Sequence, residues 1–426
     1  MAASNDLKQC WGAMRALLAA RSARTRLDRQ LAARAPLPRR RFEIAVHFAD
    51  GAENLYQLRR WYAPLAELAK THPVVILSRT PDATSALLDE APVPVADVSR
   101  VADLEAFLLD HELPIVLYVN QNARNFHLMR YGRRWHVFIN HGESDTLSMT
   151  TNQIKAYDYS LVAGDAAIAR LQRVLWDYDL ERRAIPIGRP QADHYTRGTP
   201  FPADGRSLVL YAPTWEGERS TAAYGSIASH GTALVRDLLA SPAHRLIYRP
   251  HPRSGTVDQG YAAANREIIA QIAAANRADP TAHHLHDTGT ELGWQLAAAD
   301  VAIVDVSAMV YDRLATGKPV LVTRPVNPDA PIETTGYLSD CEWLGVEEAS
   351  QVRSRLEQLS RDSAAGVRLG RWVSHYFGDT RPGAATRRFH AAIETLLAEW
   401  RRNVMLHAHD EPVDVRELVA ELDERD

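Results

Sequence analysis

Residues 301–320 read V-A-I-V-D-V-S-A-M-V-Y-D-R-L-A-T-G-K-P-V, and this stretch decides the fold class. The apolar run Val301 to Val304 suits a buried parallel strand, and Asp305 stands at its carboxyl end. Ser307 sits where a helix opens, Gly317 where it stops, and Lys318-Pro319 leads into a second apolar run, Val320 to Thr323. Strand, helix and strand in so short a span is the repeating unit of a parallel α/β sheet. Free backbone N–H groups beside a serine hydroxyl at a helix start attract anions, which makes Asp305 and Ser307 candidate binding residues; Ser307 also reads simply as an N-cap.

Outward from this unit the alternation continues. Strand-like runs occur at Phe42–Phe48, Val74–Leu77, Ile115–Val119, His136–Asn140, Tyr159–Ala163 and Ala184–Gly188. A polar stretch with Pro and Gly, Pro190 to Gly205, interrupts them, and the pattern restarts at Ser207–Tyr211 and Arg245–Tyr248. The chain has 426 residues, more than one hydrophobic core usually organises. The expectation is therefore two doubly wound, Rossmann-like domains facing a cleft, over 42–195 and 206–385. A basic arm over 1–41 precedes them, and helices with an acidic tail over 386–426 follow, packing back across the domain junction.

Composition narrows the function. A net charge of −4 excludes a nucleic-acid binder held by bulk charge, so affinity for anions must be local. Two cysteines, Cys10 and Cys341, are too few for a disulfide framework or a cysteine zinc site. No apolar run reaches the roughly 18 residues that span a bilayer, and arginines interrupt the amino-terminal apolar stretch, so a cytoplasmic protein is expected. Residues 1–41 carry ten basic and two acidic side chains. Leu7, Cys10, Trp11, Met14, Leu17 and Leu18 recur there at helical spacing. The arm reads as a basic amphipathic helix, lying either on the anionic inner face of the membrane or against the protein body.

Ligands of open α/β sheets bind beyond the carboxyl ends of strands, so chemistry is sought in the residues just after them. His141-Gly142 opens the stretch H-G-E-S-D after one strand; the glycine is expected to allow the sharp turn that shows a near-neutral imidazole to the cleft. Y-A-P-T-W, Tyr211 to Trp215, offers the Thr214 hydroxyl and an indole that either covers a phosphate or base or fills the core. R-P-H-P, Arg249 to Pro252, fixes Arg249 and His251 between prolines, a suitable phosphate clamp because a guanidinium binds two oxygens at once. D-Y-D at 177–179 follows a helical run and reads as a solvated helix end. His283, His284 and His286 lack an acidic or cysteine partner at fixed spacing, so no metal and no cofactor is expected.

Taken together, H-G at 141, G-R-P-Q-A-D at 188–193, A-P-T-W at 212–215, R-P-H-P at 249–252 and D-V-S-A-M-V-Y-D at 305–312 resemble the CDP-glycerol glycerophosphotransferase family of teichoic-acid and capsule synthesis. The resemblance runs from about His136 to about Val322. It implies the B-type glycosyltransferase (GT-B) fold, a CDP-glycerol or CDP-polyol donor, a polymer acceptor and attachment to the inner membrane face. It places the motif histidines at His141 and His251 and the phosphate-binding positions at Thr214, Arg249, Asp305 and Ser307. The chain departs from the family pattern in four places: E-S-D-T follows His-Gly where a lysine is usual, and Gln191, Glu216 and Ala308 replace an arginine, an arginine and a serine. Fewer positive charges line the site, so a different polyol fits as well. The alternatives are a GT-B glycosyltransferase or epimerase using a UDP- or GDP-sugar, and a silent membrane-surface scaffold, which would not need both histidines.

Overall fold

The computed structural model describes residues 21–145, 150–195, 198–289, 291–332 and 335–410. Seven strands form the first sheet: β1 (Ile44–Phe48), β2 (Val74–Ser78), β3 (Val95–Asp97), β4 (Ile115–Tyr118), β5 (Trp135–Phe138), β6 (Tyr159–Val162) and β7 (Ala184–Pro186), in the order 3-2-1-4-5-6-7. Six form the second: β8 (Ser207–Ala212), β9 (His244–Tyr248), β10 (Leu285–His286), β11 (Val301–Val304), β12 (Val320–Thr323) and β13 (Trp343–Leu344), in the order 10-9-8-11-12-13. Every pair in both sheets is parallel. Helices cover both faces, which is why β1, β2, β4 and β11 are buried along their whole length and read as unbroken apolar runs.

All ten expected strands are present. The sequence reading missed β3, β10 and β13, which have three, two and two residues and lie at or toward the sheet edges, too short to show a period. Each sheet reverses its winding once, between β1 and β4 and between β8 and β11, the places beyond whose strand carboxyl ends ligands of open α/β sheets bind.

Several contacts join the lobes. Helix Ala384–Leu406 leaves the second lobe and inserts Phe389, Ile393, Leu396 and Leu397 into the core of the first, beside Ile44, Val46 and Trp61. Asp145 of the first lobe accepts from Tyr311 Oη at 2.6 Å and Tyr376 Oη at 2.5 Å in the second, and from Arg170 Nη1 at 2.7 Å. Arg170 also pairs with buried Glu143. The acidic residues that replace a lysine after His-Gly thus belong to the inter-lobe joint.

Residues 21–32 are helical and bury Leu27 against the body, where Arg24 pairs with Asp97 at 2.8 Å and Arg34 with Asp89 at 3.0 Å. This part of the arm therefore packs on the protein. Leu7, Cys10, Trp11, Met14, Leu17 and Leu18 lie outside the described residues, as does the tail from 411. Among the described residues no helix is long and apolar enough to cross a membrane.

Candidate active site between the two lobes

His141 follows β5, and the turn that places it is built by Asn140. Asn140 has φ of 53°, a left-handed conformation that Asn tolerates, and its carbonyl oxygen accepts from the Trp61 indole. Its side chain accepts from His141 N at 2.8 Å and donates to Gly142 O at 2.8 Å. Gly142 has no positive φ, and a Cβ there would meet nothing within 4 Å. The sharp turn expected of the glycine is therefore made one residue pair earlier, by an asparagine.

The His141 ring lies 3.1 Å by Nδ1 from the carbonyl oxygen of Val119, just past β4. A carbonyl only accepts, so Nδ1 carries the proton and Nε2 a free lone pair in the neutral ring. Burial, and after it the cations Arg60 and Arg189, lower its pKa from 6.5 to about 4, against the near-neutral value expected. Arg60 and Arg189 converge with Asp312 beside this ring. Arg60 Nη1 donates to Asp312 Oδ2 at 2.8 Å and Oδ1 at 3.1 Å, and Arg189 Nη2 to Oδ1. Asp312 is fully buried on helix Ala308–Leu314; burial opposes its charge, but Arg189 and Arg60 outweigh it and hold the carboxyl below its ordinary range.

In the second lobe β8 and β11 are paired neighbours, so their carboxyl ends lie side by side. Asp305 is 0% exposed. Its carboxylate accepts from Thr214 N at 2.8 Å, Ser226 N at 3.0 Å and Thr323 Oγ1 at 2.5 Å. These bonds fix the backbone at Thr214 and Ser226. The Thr214 carbonyl is held in turn by Tyr261 Oη at 2.6 Å. Ser307 accepts from Met309 N at 3.3 Å, the N-cap reading, on a helix of seven residues.

His251 follows β9, with its backbone N–H on Pro213 O at 3.1 Å. Its Nδ1 accepts from Arg253 N at 3.1 Å, so the neutral ring carries its proton on Nε2, the reverse of His141. Trp215 stacks beside it with centroids 6.4 Å apart, and the Arg253 guanidinium lies 3.8 Å over the indole. Glu216 explains one departure from the family pattern. Its carboxylate accepts from the backbone N–H of Gly255, Val257 and Asp258 at 2.9, 2.7 and 3.1 Å, and so shapes the loop after His251. Arg249 donates from Nη2 to Gly289 O at 2.9 Å and from Nη1 to Asp287. The two-oxygen phosphate grip expected of it therefore requires exchange of these bonds.

Sequence reasoning missed Arg60, Arg189 and Asp312. The available signal was Asp312 standing inside an otherwise apolar helix face, where a charge needs a partner. Asp179 of the D-Y-D caps helix Leu180–Arg183, and His284 Nδ1 accepts from Leu246 N at 3.1 Å, so both serve the fold.

Residues 137–325 match the model of the family CDP-glycerol:poly(glycerophosphate) glycerophosphotransferase. That segment is similar to the glycerophosphotransferases. It contains all six expected site residues and two of the three missed ones, Arg189 and Asp312. No curated protein matches significantly. Among solved structures, the wall teichoic acid polymerase TagF is 13% identical over 85% of this chain and 90% of its own, with a TM-score of 0.55. TagF soaked with CDPG scores 0.54 at 12% identity, over 85% of this chain and 90% of its own. A Listeria monocytogenes protein assigned as a UDP-N-acetylglucosamine 2-epimerase is 14% identical over 84% of this chain and 97% of its own, at 0.55. At such identities the likeness is one of GT-B fold, which polymerase and epimerase share equally; the glycerophosphotransferase match over 137–325 is what separates them.

Proposed function

We propose that this chain transfers glycerol phosphate, or a related polyol phosphate, from a CDP-linked donor to a hydroxyl of a cell-envelope polymer or its lipid-linked primer, releasing CMP. The observation that carries this reading is the opposed tautomer pair: His141 with a bare Nε2 after β5, and His251 with an Nε2–H after β9, both inside the matched segment. The acceptor oxygen attacks the phosphorus that bears the polyol while its proton passes to His141 Nε2. The new P–O bond forms as the bond from that phosphorus to the bridging oxygen breaks, and CMP leaves with the electron pair. His251 Nε2–H donates to a phosphate oxygen, Thr214 and Ser307 supply further donors, and Arg249 approaches once freed from Gly289. Asp305 contributes by holding the Thr214 loop.

Lys8 and Arg15 beside Trp11, Met14, Leu17 and Leu18 support a place on an anionic membrane surface, where a lipid-linked acceptor resides. Sedimentation with anionic liposomes, with and without residues 1–20, tests that part separately. For the reaction, purified protein is given CDP-glycerol, CDP-ribitol or UDP-sugars with a hydroxyl acceptor, and nucleotide release is measured. CMP from a CDP-polyol is expected; turnover of UDP-sugars alone would replace this reading with the sugar-nucleotide one.

A further inference from the structure

The carboxyl edge of the first sheet carries a second polar cluster, in the segments after β2 and β4. Arg79 follows β2, with its backbone N–H on Phe48 O at 2.9 Å. Arg124 follows β4 and reaches Ala49 O at 3.4 Å, and His127 and Arg130 lie on and just after helix Asn125–Met129. Arg124, His127 and Arg130 are exposed. Arg79 Nη1 is buried and has no hydrogen-bond partner.

These groups act on one another and not on carboxylates. Burial first, then Tyr131 and Arg124, are what bear on the Arg79 guanidinium. Burial followed by Arg79, Arg130 and Arg124 lowers the His127 pKa. The acidic side chains nearby are already engaged: Asp50 accepts from Asn120 and Asn122 at 2.6 Å each, and Glu105 from Tyr131 Oη at 3.0 Å. Like charges gathered on one surface with no carboxylate ion-paired to them repel one another, and an anionic ligand relieves that repulsion.

We infer that Arg79, Arg124, His127 and Arg130 form a binding site for the phosphodiester groups of the acceptor chain. The inference rests on the transferase reading given above. Sheet order places β4 beside β5 and β2 three steps from it, roughly 14 Å at ordinary strand spacing, so an extended chain with its terminal hydroxyl at His141 lays its preceding phosphates first past Arg124, His127 and Arg130 and then toward Arg79. A guanidinium trio pairs with phosphate oxygens through paired N–H groups, whereas a neutral glycan chain would leave it uncompensated.

The test measures binding of a fluorescent oligomer of phosphodiester-linked glycerol to the full chain by anisotropy, for wild type and the double variant Arg124→Ser/Arg130→Ser, with anionic vesicles in a parallel arm. About tenfold weaker oligomer binding and a shallower salt dependence are expected of the variant, the scale for losing two exposed charge contacts. Unchanged oligomer binding overturns the inference, as does loss confined to vesicles, which would assign the patch to lipid headgroups. Thermal protection by CDP-glycerol is recorded in both proteins. If it is absent in wild type while the oligomer still binds through these arginines, the donor reading fails and the patch stands.

Discussion

Arg60 and Asp312 stand 252 positions apart in the chain, yet the Arg60 guanidinium grips both oxygens of the Asp312 carboxylate, at 2.8 and 3.1 Å, across the junction of the lobes. Arg189 completes the triad, and His141 feels all three charges. Removing the carboxylate leaves two buried or half-buried guanidiniums unpaired. Asp312→Ala is expected to destabilise by about 3–5 kcal/mol, read as the midpoint of denaturant unfolding. The triad also tunes the imidazole. Asp312 raises its pKa whereas Arg60 lowers it, so Asp312→Asn should move the acid limb of kcat/KM to lower pH and Arg60→Gln to higher pH. A merely structural triad would give no such opposition.

His141→Ala should reduce kcat by about 10²–10⁴ with little change in CDP-glycerol protection, because a base acts mainly in the transition state. Retention of more than about a tenth of the activity refutes the base assignment. With its pKa lowered to about 4, mainly by burial, the wild-type imidazole stays unprotonated well below pH 6.5, and the acid limb of kcat/KM should lie near pH 4.

Stability should fall as pH drops from about 6.5 toward 4. Burial is the first cause holding His47 at about 3 and His136, His141 and His284 at about 4. Unfolding returns each to roughly 6.5, so in this window the unfolded chain binds more protons and protonation favours it, by about 1–2 kcal/mol per imidazole between pH 7 and 5. Asp305 has the opposite sign. Burial raises its pKa to about 6, so between its ordinary value near 3.9 and 6 the folded state holds the extra proton and gains as pH falls. One carboxyl offsets less than four imidazoles, and a lower Tm at pH 5 than at pH 7 is the expected result.

Glu216→Ala frees three backbone N–H groups in the loop after His251, whereas Glu216→Gln keeps an acceptor oxygen there. The alanine variant should weaken donor binding severalfold and the glutamine variant much less, by calorimetric titration with CDP-glycerol. Equal effects would assign the role to the charge and not to loop shape.

Gly164→Ala tests the joint between the lobes. A Cβ at this extended residue would lie 2.6 Å from the Tyr376 carbonyl oxygen, a backbone atom that cannot rotate away. The lobes must shift apart, and a loss of about 1–3 kcal/mol is expected, read as a lower Tm with the Asp145 to Tyr376 contact strained.

The sequence by itself determined the two parallel sheets, because strands buried on both faces appear as apolar runs and local turn chemistry marks their ends. It also determined that His141 and His251 lie just past strands, which puts them on the cleft side of their lobes. Only the tertiary structure decided what their surroundings do. Asp305 stood after β11 in either reading, but its use depended on Thr214 and Thr323 arriving with donors. The tautomers of both histidines depended on Val119 O and Arg253 N, the first supplied by the residue just past another strand. Asp312 on an apolar helix face signalled a missing partner, but nothing in the sequence said that Arg60 and Arg189 supply it, since ion pairing acts through space and their meeting follows from how one lobe packs on the other.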